Sequence, residues 1–328
     1  MMKMRRSRRW ILLAVCLLAV IGGMLLVFSG LERLILLSDS TAEGNPENVN
    51  DSGSIFYDGI WYAPKDSLET ILLMGIDMAD EGLGQADFLG LLLLDEETEQ
   101  FLLLHLNRNT IADIFQTDLY GRDAGSFRGQ LALAHAYGRD SGDGCRQTVK
   151  SVEALLYGIT VDHYISLTMD GMSILNDRVG GVTLNLLDDF THLDPAYTEG
   201  SVVTLKGAHA LAYVRERGAL EDSSDLRRME RQCQYMDALA EAFGKTEDVN
   251  SEDFFIDTFL EVNAYMVSDC TADQLGDLTE TLHRYEYAGI YMLEGESVKG
   301  HTYMEFHLDE SSVRQTILKL FYTPVTEK

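Results

Sequence analysis

The sequence predicts a layered α/β domain, with helices on both faces of a mixed sheet, preceded by one membrane-spanning helix. Three features support this prediction: an uncharged apolar stretch near the N-terminus, a polar segment after it, and alternating strand and helix patterns from residue 67 onward. Alternating elements joined by short links are typical of helices packed on both faces of a sheet. Residues 67–328 are numerous enough to bury a full hydrophobic core.

The first 66 residues are predicted to place this domain outside the cell. Residues 1–9 carry five Lys or Arg and no acid, and residues 10–30 carry no charge. A span of that length crosses the bilayer core, and the preceding positive charges favour a cytoplasmic N-terminus. We therefore expect a cytoplasmic head (1–9), a transmembrane helix (10–30) and an extracytoplasmic spacer (31–66) in a single-pass cell-membrane protein. The alternative, a cleaved signal peptide, would require an A-x-A-like site, and none follows.

The elements of the domain follow from hydrophobic periodicity and from Gly or polar residues at their ends. We predict that these elements form a core over residues 67–244 and a C-terminal α/β extension over residues 245–328. The extension is expected to pack on the core. Strands are predicted at 69–77, 161–167, 181–186, 287–293 and 301–308, and a hairpin over 88–107 turns at the acidic segment DEETEQ. Helices are predicted at 144–158, 170–180, 223–244, 251–266, 271–284 and 311–322, and KGAHALAYVRER (206–217) is predicted to pass from a short helix into an extended piece.

The overall charge and the cysteines limit the classes of function. The formal net charge is −27, and removing the five cations of the head leaves −27 − 5 = −32 for the rest. Nucleic acid is excluded as a partner because phosphate-backbone binding needs an excess of Lys and Arg. Outside residues 1–30 the cysteines are Cys145, Cys233 and Cys270, an odd number without CxxC spacing. They indicate neither a disulfide framework nor a zinc site.

A cluster of arginines is the strongest local signal on this acidic background. Five of the 26 − 5 = 21 basic residues beyond the head lie in one short window: Arg215, Arg217, Arg227, Arg228 and Arg231. The planar guanidinium suits bidentate phosphate binding. Arg215 and Arg217 are two apart in a predicted extended piece, which places them on one side. Arg228 and Gln232 are four apart on the next helix and share a face. The alternative is a solvated helix face paired with neighbouring glutamates.

Polar residues at strand ends form the second signal. Asp77 closes the first strand, and Asp87 follows the Gly-rich turn GLGQAD. Carboxylates on adjacent loops could hold Mg²⁺, which binds one or two protein carboxylates together with phosphate oxygens. The alternative is ordinary loop aspartates. Arg108, in HLNRNT, directly follows an apolar strand. Like the two aspartates, it is therefore predicted to lie at the end of a buried strand.

Taken in order, these segments resemble the LytR–CpsA–Psr family of cell-wall proteins. The resemblance runs from ILLMGID near residue 71 to about residue 244, and a weaker match continues through LEGESVKGHTYMEF. It rests on VEALLYGITVDHYISLTMDG, RVGGVTLNL, LKGAHALAYVRER and DLRRMERQ, in the order of the family. The resemblance implies a three-layer α/β/α sandwich with a hydrophobic pocket for a polyprenyl tail. It also implies attachment of anionic glycopolymers, such as teichoic acid or polysaccharide, from an undecaprenyl-pyrophosphate carrier to peptidoglycan, with Mg²⁺.

The resemblance assigns roles to individual residues. Asp77 and Asp87 match the metal-associated acids of the family, and the matched pyrophosphate-binding set is Arg108, Arg215, Arg217, Arg228 and Gln232. Arg108 and Arg228 are the expected catalytic residues, because guanidinium groups would neutralise charge that develops on the phosphoryl oxygens.

Two segments depart from the pattern of the family. Gln85-Ala86-Asp87-Phe88 stands where the family usually has Arg-Ser-Asp-Thr, and Asn107-Arg108-Asn109-Thr110 stands where it has Pro-Arg-Asp-Thr. An Arg, a hydroxyl and a carboxylate that could act as base are therefore absent. These departures leave two alternatives open: a non-catalytic relative that binds polyprenyl (pyro)phosphate or cell-wall polymer, and a lipid pyrophosphatase.

Overall fold

The computed structural model describes residues 53–78, 82–216, 225–246 and 252–325. In these residues the strands are β1 Ile55–Tyr57, β2 Ile60–Pro64, β3 Leu68–Asp77, β4 Gln85–Asp95, β5 Gln100–His105, β6 Ile111–Thr117, β7 Asp123–Gln130, β8 His163–Thr168, β9 Val182–Asn185, β10 Val202–Leu205, β11 Met266–Ser268, β12 Glu286–Met292, β13 Gly295–Lys299, β14 Met304–Leu308 and β15 Tyr322–Pro324. The α-helices are α1 Ser141–Leu155, α2 Met169–Arg178, α3 Gly207–Arg215, α4 Asp225–Lys245, α5 Glu252–Val262, α6 Ala272–Arg284 and α7 Glu310–Phe321. Two 3₁₀ segments, Leu131–Tyr137 and Asn263–Tyr265, complete the list.

A six-stranded mixed sheet forms the centre of the fold, in the order β11-β8-β3-β4-β5-β12. β3 pairs parallel with β8, and β5 pairs parallel with β12, while the β3–β4, β4–β5 and β8–β11 pairs are antiparallel. The predicted hairpin is confirmed, and its turn is closed by Asp95, whose Oδ1 accepts from the amide of Glu97 at 3.1 Å. The predicted mixed α/β fold is therefore correct.

Both faces of the sheet are buried, which explains why β3 and β4 are almost continuously apolar. On one face Leu73 and Leu92 pack with the α2, α3 and α4 residues Leu175, Tyr213 and Leu239, among others. On the other face Leu72 and Leu91 pack with residues of α1 and α7, including Val152 and Ile317. Neighbouring leucines face opposite ways because side chains alternate along a strand. The helices thus cover both faces of the sheet.

The C-terminal region is part of the central sheet. β11 and β12 are its two edge strands, and β15 pairs with β2, with Tyr322 opposite Pro64. The predicted division at 244/245 therefore cuts through one sheet, because strand pairing joins residues far apart in sequence. The folded region also begins earlier than the predicted residue 67, since the β1–β2 hairpin belongs to the same ordered structure.

The predicted head (1–9), transmembrane helix (10–30) and first part of the spacer (31–52) lie outside the described residues. Within the described part of the chain, none of the helices has the length and apolar content needed to cross a bilayer.

Candidate functional site

Asp87 and Phe88 point to the same face of the sheet because β4 contains a β-bulge. Gly75 of β3 lies opposite Phe88, and Ile76 lies opposite Ala86, so Asp87 is an extra residue with no partner of its own on β3. A bulge of this kind bends the strand and re-aims the side chains at that point. Ala86 belongs to the core on the α1 side, whereas Phe88 packs against the core on the α4 side. Asp87 likewise contacts α4, as described below.

Asp77 is the last residue of β3 and lies at the same end of the central strands as Asp87. The chain turns back over it at Gly84, which has φ +76° and whose added Cβ would lie 2.4 Å from the carbonyl oxygen of Asp77. Only glycine fits that approach and that backbone conformation. The Asp77 carboxylate forms an ion pair with Arg215 at 2.5 Å. The sequence placed Arg215 in an extended piece, and this was wrong: Arg215 is the last residue of α3.

Asp87 lies between two arginines that come from opposite sides. Arg108, which follows β5, approaches Asp87 to 3.1 Å, and Arg228 of α4 approaches it to 3.7 Å. The Arg228 side chain is 2 % exposed, that of Arg108 11 % and that of Asp87 12 %. A second bond runs from Arg108 Nη2 to Gln85 Oε1 at 2.5 Å. Because these charged groups are poorly exposed to water, the electrostatic interactions between them are screened little.

Gln232 of α4 connects this helix to β4 and to α3. Its Nε2 lies 3.4 Å from the carbonyl oxygen of Asp87 and 3.3 Å from that of Val214. Arg228 and Gln232 are both buried, on the side of α4 that faces Asp87, in agreement with their spacing of four. One end of the Gln232 side chain thus contacts the Asp87 backbone while the residue also lines the pocket described next.

An apolar pocket opens beside this charged group. It lies between the sheet and helices α2, α3 and α4, and its cavity volume is about 80 Å³. Its walls include Leu167, Met172, Leu211 and Met236, and Phe88 lies on its boundary next to Asp87. Deep apolar clefts with a few converging polar groups are the usual form of small-molecule sites. The pocket suits an apolar chain whose charged end reaches Asp87 and the arginines.

The other members of the arginine cluster have structural roles. Arg227 pairs with Asp188 at 2.9 Å and with Glu230 at 2.8 Å, and hydrogen bonds to Asp188 and Glu230 raise its pKa. Arg231 is fully buried, pairs with Asp188 at 2.5 Å and donates to the carbonyl oxygen of Tyr213 at 2.8 Å. The alternative of a solvated helix face paired with glutamates holds in part for Arg227, which pairs with Glu230, and fails for Arg231, which is buried and pairs with an aspartate. Arg217 lies outside the described residues.

His105 was missed by the sequence analysis because nothing local marks it. It stacks on Phe88 with ring centroids 4.9 Å apart, and its Nδ1 lies 3.4 Å from Cys233 Sγ. Two causes lower the pKa of His105 to about 4: burial, which is the larger, and the positive charge of the nearby Arg228. A neutral imidazole is consequently packed behind the aromatic wall of the pocket at physiological pH.

Asn107 and Arg108 carry donors that face no protein acceptor. Arg108 Nε and Asn107 Nδ2 are buried without a hydrogen-bond partner in the part of the chain that the structure describes. A buried unpaired donor costs about 1–3 kcal/mol, so these two donors are available to an oxygen acceptor that enters the site. Asn109, by contrast, has a partner inside the protein, because its Oδ1 accepts a hydrogen bond from Gln130 Nε2 at 2.8 Å. The residue is 2 % exposed and is part of the packed interior.

A second group of possible ligands lies at the opposite end of β8. Donor atoms of His163, Asp269 and Cys270 lie within 4.8 Å of one another. Gln274 Oε1 accepts from the amide of Thr271, so its Nε2 donates to His163 Nε2 at 2.7 Å. The other ring nitrogen, Nδ1, lies 3.6 Å from a carboxylate oxygen of Asp269. His163 Nδ1 has no hydrogen-bond partner among the described residues, so the only hydrogen bond of this ring is the one with Gln274.

The fold and the candidate site define an α/β protein in which a group of charged side chains lies beside an apolar pocket. Arginines and carboxylates converge on one edge of the sheet, and an apolar pocket begins at the same point. The chain belongs to the LytR_cpsA_psr family, whose model matches residues 32–320. The resemblance seen in the sequence is therefore confirmed.

Named relatives and solved structures agree with this assignment. The chain is 28 % identical over 242 residues to the polyisoprenyl-teichoic acid–peptidoglycan teichoic acid transferase TagU of Oceanobacillus iheyensis, which covers 72 % of this chain and 69 % of the relative. It is similar in fold to TagT bound to LIIa-WTA, with a TM-score of 0.59, 22 % identity and coverage of 78 % and 91 %. Bacillus subtilis TagV gives a TM-score of 0.57 with 21 % identity and coverage of 78 % and 96 %.

Proposed function

We propose that this protein is a membrane-anchored, extracytoplasmic transferase that moves an anionic glycopolymer from an undecaprenyl-pyrophosphate carrier to peptidoglycan. The observation that carries the proposal is the continuity between the apolar pocket and the Arg108–Asp87–Arg228 group, through Phe88 and Gln232. A polyprenyl pyrophosphate has the same two parts, an apolar chain and a doubly charged head. The names of the relatives support teichoic acid as the polymer.

The proposed reaction is a phosphoryl transfer. A hydroxyl oxygen of peptidoglycan attacks the phosphorus that bears the sugar, the bond from that phosphorus to the bridging oxygen breaks, and polyprenyl monophosphate leaves. Arg108 and Arg228 would contact the phosphoryl oxygens, where charge increases in the transition state, and such contacts act strongly in a site with little water. Guanidinium does not accept the hydroxyl proton. The proton passes to solvent water, since Asp77 and Asp87 are both paired with guanidinium groups.

Asp77 and Asp87 fit the requirements of a Mg²⁺ site, and we include Mg²⁺ in the proposal. Both are carboxylates at one edge of the sheet, where phosphate oxygens would complete the six oxygen ligands that Mg²⁺ prefers. The bound ion would neutralise negative charge on the pyrophosphate. In the structure these carboxylates pair with guanidinium groups, so ligand binding would redistribute the Arg–Asp contacts.

The proposed location follows from the substrate as well as from the sequence. A polyprenyl carrier remains in the bilayer, so a protein that uses it must work close to the membrane surface. The uncharged residues 10–30 would provide the anchor, with the basic head in the cytoplasm.

A transfer assay distinguishes this function from the two alternatives. The full-length chain, reconstituted in vesicles with Mg²⁺, is given radiolabelled lipid-linked glycopolymer and peptidoglycan fragments. Labelled peptidoglycan together with lipid monophosphate is the expected result. Release of free glycopolymer phosphate without labelled peptidoglycan would identify a pyrophosphatase.

A second candidate function, that of a carrier-lipid binder, is favoured by the altered motifs. Gln85 replaces an Arg of the family pattern and accepts from Arg108, and Asn109 replaces an Asp and contacts Gln130. In the same assay, tight binding of the lipid pyrophosphate with no product of either kind would support the binder and refute the transferase.

A further inference from the structure

The tip of the β6–β7 hairpin carries the most exposed large apolar side chains among the described residues. Leu119 is 93 % exposed and Tyr120 is 81 % exposed, and they are adjacent. Single exposed apolar residues are common, but two neighbours at the end of a projecting hairpin form a continuous apolar tip. Neither residue contributes to the site described above.

The turn holds these two side chains outward. Asp118 Oδ1 accepts from the amides of Tyr120 at 2.8 Å and Arg122 at 2.9 Å, and Asp118 Oδ2 accepts from Arg122 Nε at 2.8 Å. Backbone bonds from Gly121 to Asp118 and from Asp118 to Arg122, both 2.9 Å, close the loop. A turn with this many bonds keeps one conformation, so Leu119 and Tyr120 remain exposed rather than folding back.

The charge around the tip differs from that of the rest of the chain. Residues 111–150 contain five Asp, no Glu and five Lys or Arg, whereas the whole chain has a net charge of −27. Arg122 lies over the Tyr120 ring, 5.1 Å from its centroid. An acidic protein is repelled by an anionic lipid surface, and the hairpin is a region where this repulsion is cancelled. Tyrosine and arginine together are typical of residues at the membrane interface.

The hairpin tip also lies toward the edge of the candidate site. Arg139, just before α1, contacts the backbone of Gly121, where an added Cβ would be 2.9 Å from its Nη1. Four residues earlier, His135 Nδ1 lies 3.2 Å from the carbonyl oxygen of Gly84, in the turn that covers Asp77. The tip and the Asp77 turn are therefore joined by one short segment.

The length of the chain before the folded region identifies the occupant. Residues 31–54 separate the apolar segment 10–30 from β1, and a chain of that length extends at most about 80 Å. A bilayer that holds residues 10–30 would therefore always lie within that distance of β1.

We propose that Leu119 and Tyr120 enter the headgroup region of an anionic lipid bilayer and orient the edge with Asp77 and Asp87 toward the membrane. Insertion of such a tip reaches about 5–10 Å below the surface. This contact is a second attachment in addition to the anchor, and it would limit rotation of the domain on its linker. It rests on the membrane anchoring in the proposed function but not on carrier-lipid binding, so loss of lipid pyrophosphate binding would leave it intact.

Quenching of a single tryptophan by brominated lipid tests the contact. The full-length chain has two tryptophans, Trp10 and Trp61, and both are changed to Phe. Leu119→Trp in that background is reconstituted in vesicles of phosphatidylcholine and phosphatidylglycerol, with and without brominated acyl chains. The matched control is Val202→Trp, at a site on β10 that is 70 % exposed.

We expect brominated lipid to lower the emission of the tryptophan at 119 about twofold, because a ring at interfacial depth contacts the upper acyl chains. The emission at 202 should change little. Tyr120→Trp provides a second probe if the first variant perturbs the turn. Equal quenching at 119 and 202 would overturn the proposal, whether or not lipid pyrophosphate binds. A response of the 119 probe to peptidoglycan fragments alone would also overturn it and would identify a glycan contact.

Discussion

Replacement of Arg228 by alanine should weaken pyrophosphate binding more than any other single change on α4. Arg228 is 2 % exposed and lies 3.7 Å from Asp87. A unit charge about 4 Å from an anion contributes about 4 kcal/mol at the effective dielectric of a protein near its surface. The change also leaves Asp87 less compensated, which adds repulsion toward the ligand. Truncation of one buried charge typically costs about 2–5 kcal/mol, so we expect affinity to fall at least about 30-fold.

The assay is calorimetric titration of the full-length chain in detergent with geranylgeranyl pyrophosphate. Arg227→Ala is the matched control, because it removes the same group one residue earlier, where Arg227 pairs with Asp188 and Glu230. Its affinity should stay within about threefold of wild type, since a difference of that size is below 1 kcal/mol. Arg228→Lys keeps the charge and should recover part of the loss. Unchanged affinity in Arg228→Ala, or equal losses in the two alanine variants, would refute the assigned site.

Three further changes test other parts of the structure. Asp77→Asn should abolish the Mg²⁺ dependence of transfer, as measured by product formation over a Mg²⁺ titration, and an unaltered dependence would remove Asp77 from the metal site. Asp188→Ala should lower the free energy of unfolding in urea by about 3–5 kcal/mol, because it leaves the buried Arg231 uncompensated; a change below 1 kcal/mol would contradict this. Burial raises the pKa of Asp237 to about 6, above its unfolded value, so ionisation destabilises the fold as pH rises from about 4 to 6. Asp237→Asn should therefore stabilise the protein by about 1–2 kcal/mol at pH 8 but not at pH 4, as judged by urea unfolding at both values.

The order and type of most elements could be predicted from the sequence, because they depend on local periodicity. The apolar runs of β3, β4 and β5, the Gly-bounded helices and the acidic hairpin turn were predicted within a few residues of their observed bounds. The β6–β7 hairpin was not predicted, since β7 is largely polar and exposed and therefore lacks a clear alternation. Residues that match motifs, such as Asp87 and Arg228, could also be found, because a motif is a local pattern too.

The sequence by itself determined the composition of the site: two aspartates, a cluster of arginines and a glutamine. It could not determine which arginines reach the ligand, since Arg227, Arg228 and Arg231 lie on one helix and differ only in their partners. Those partners come from distant segments, and only tertiary packing brings them together. The tertiary structure also decided that a bulge at Asp87 turns its carboxylate and the Phe88 ring to the same face. One extra residue in a strand reverses the alternation of side chains beyond it. The charged group and the apolar pocket therefore lie next to each other.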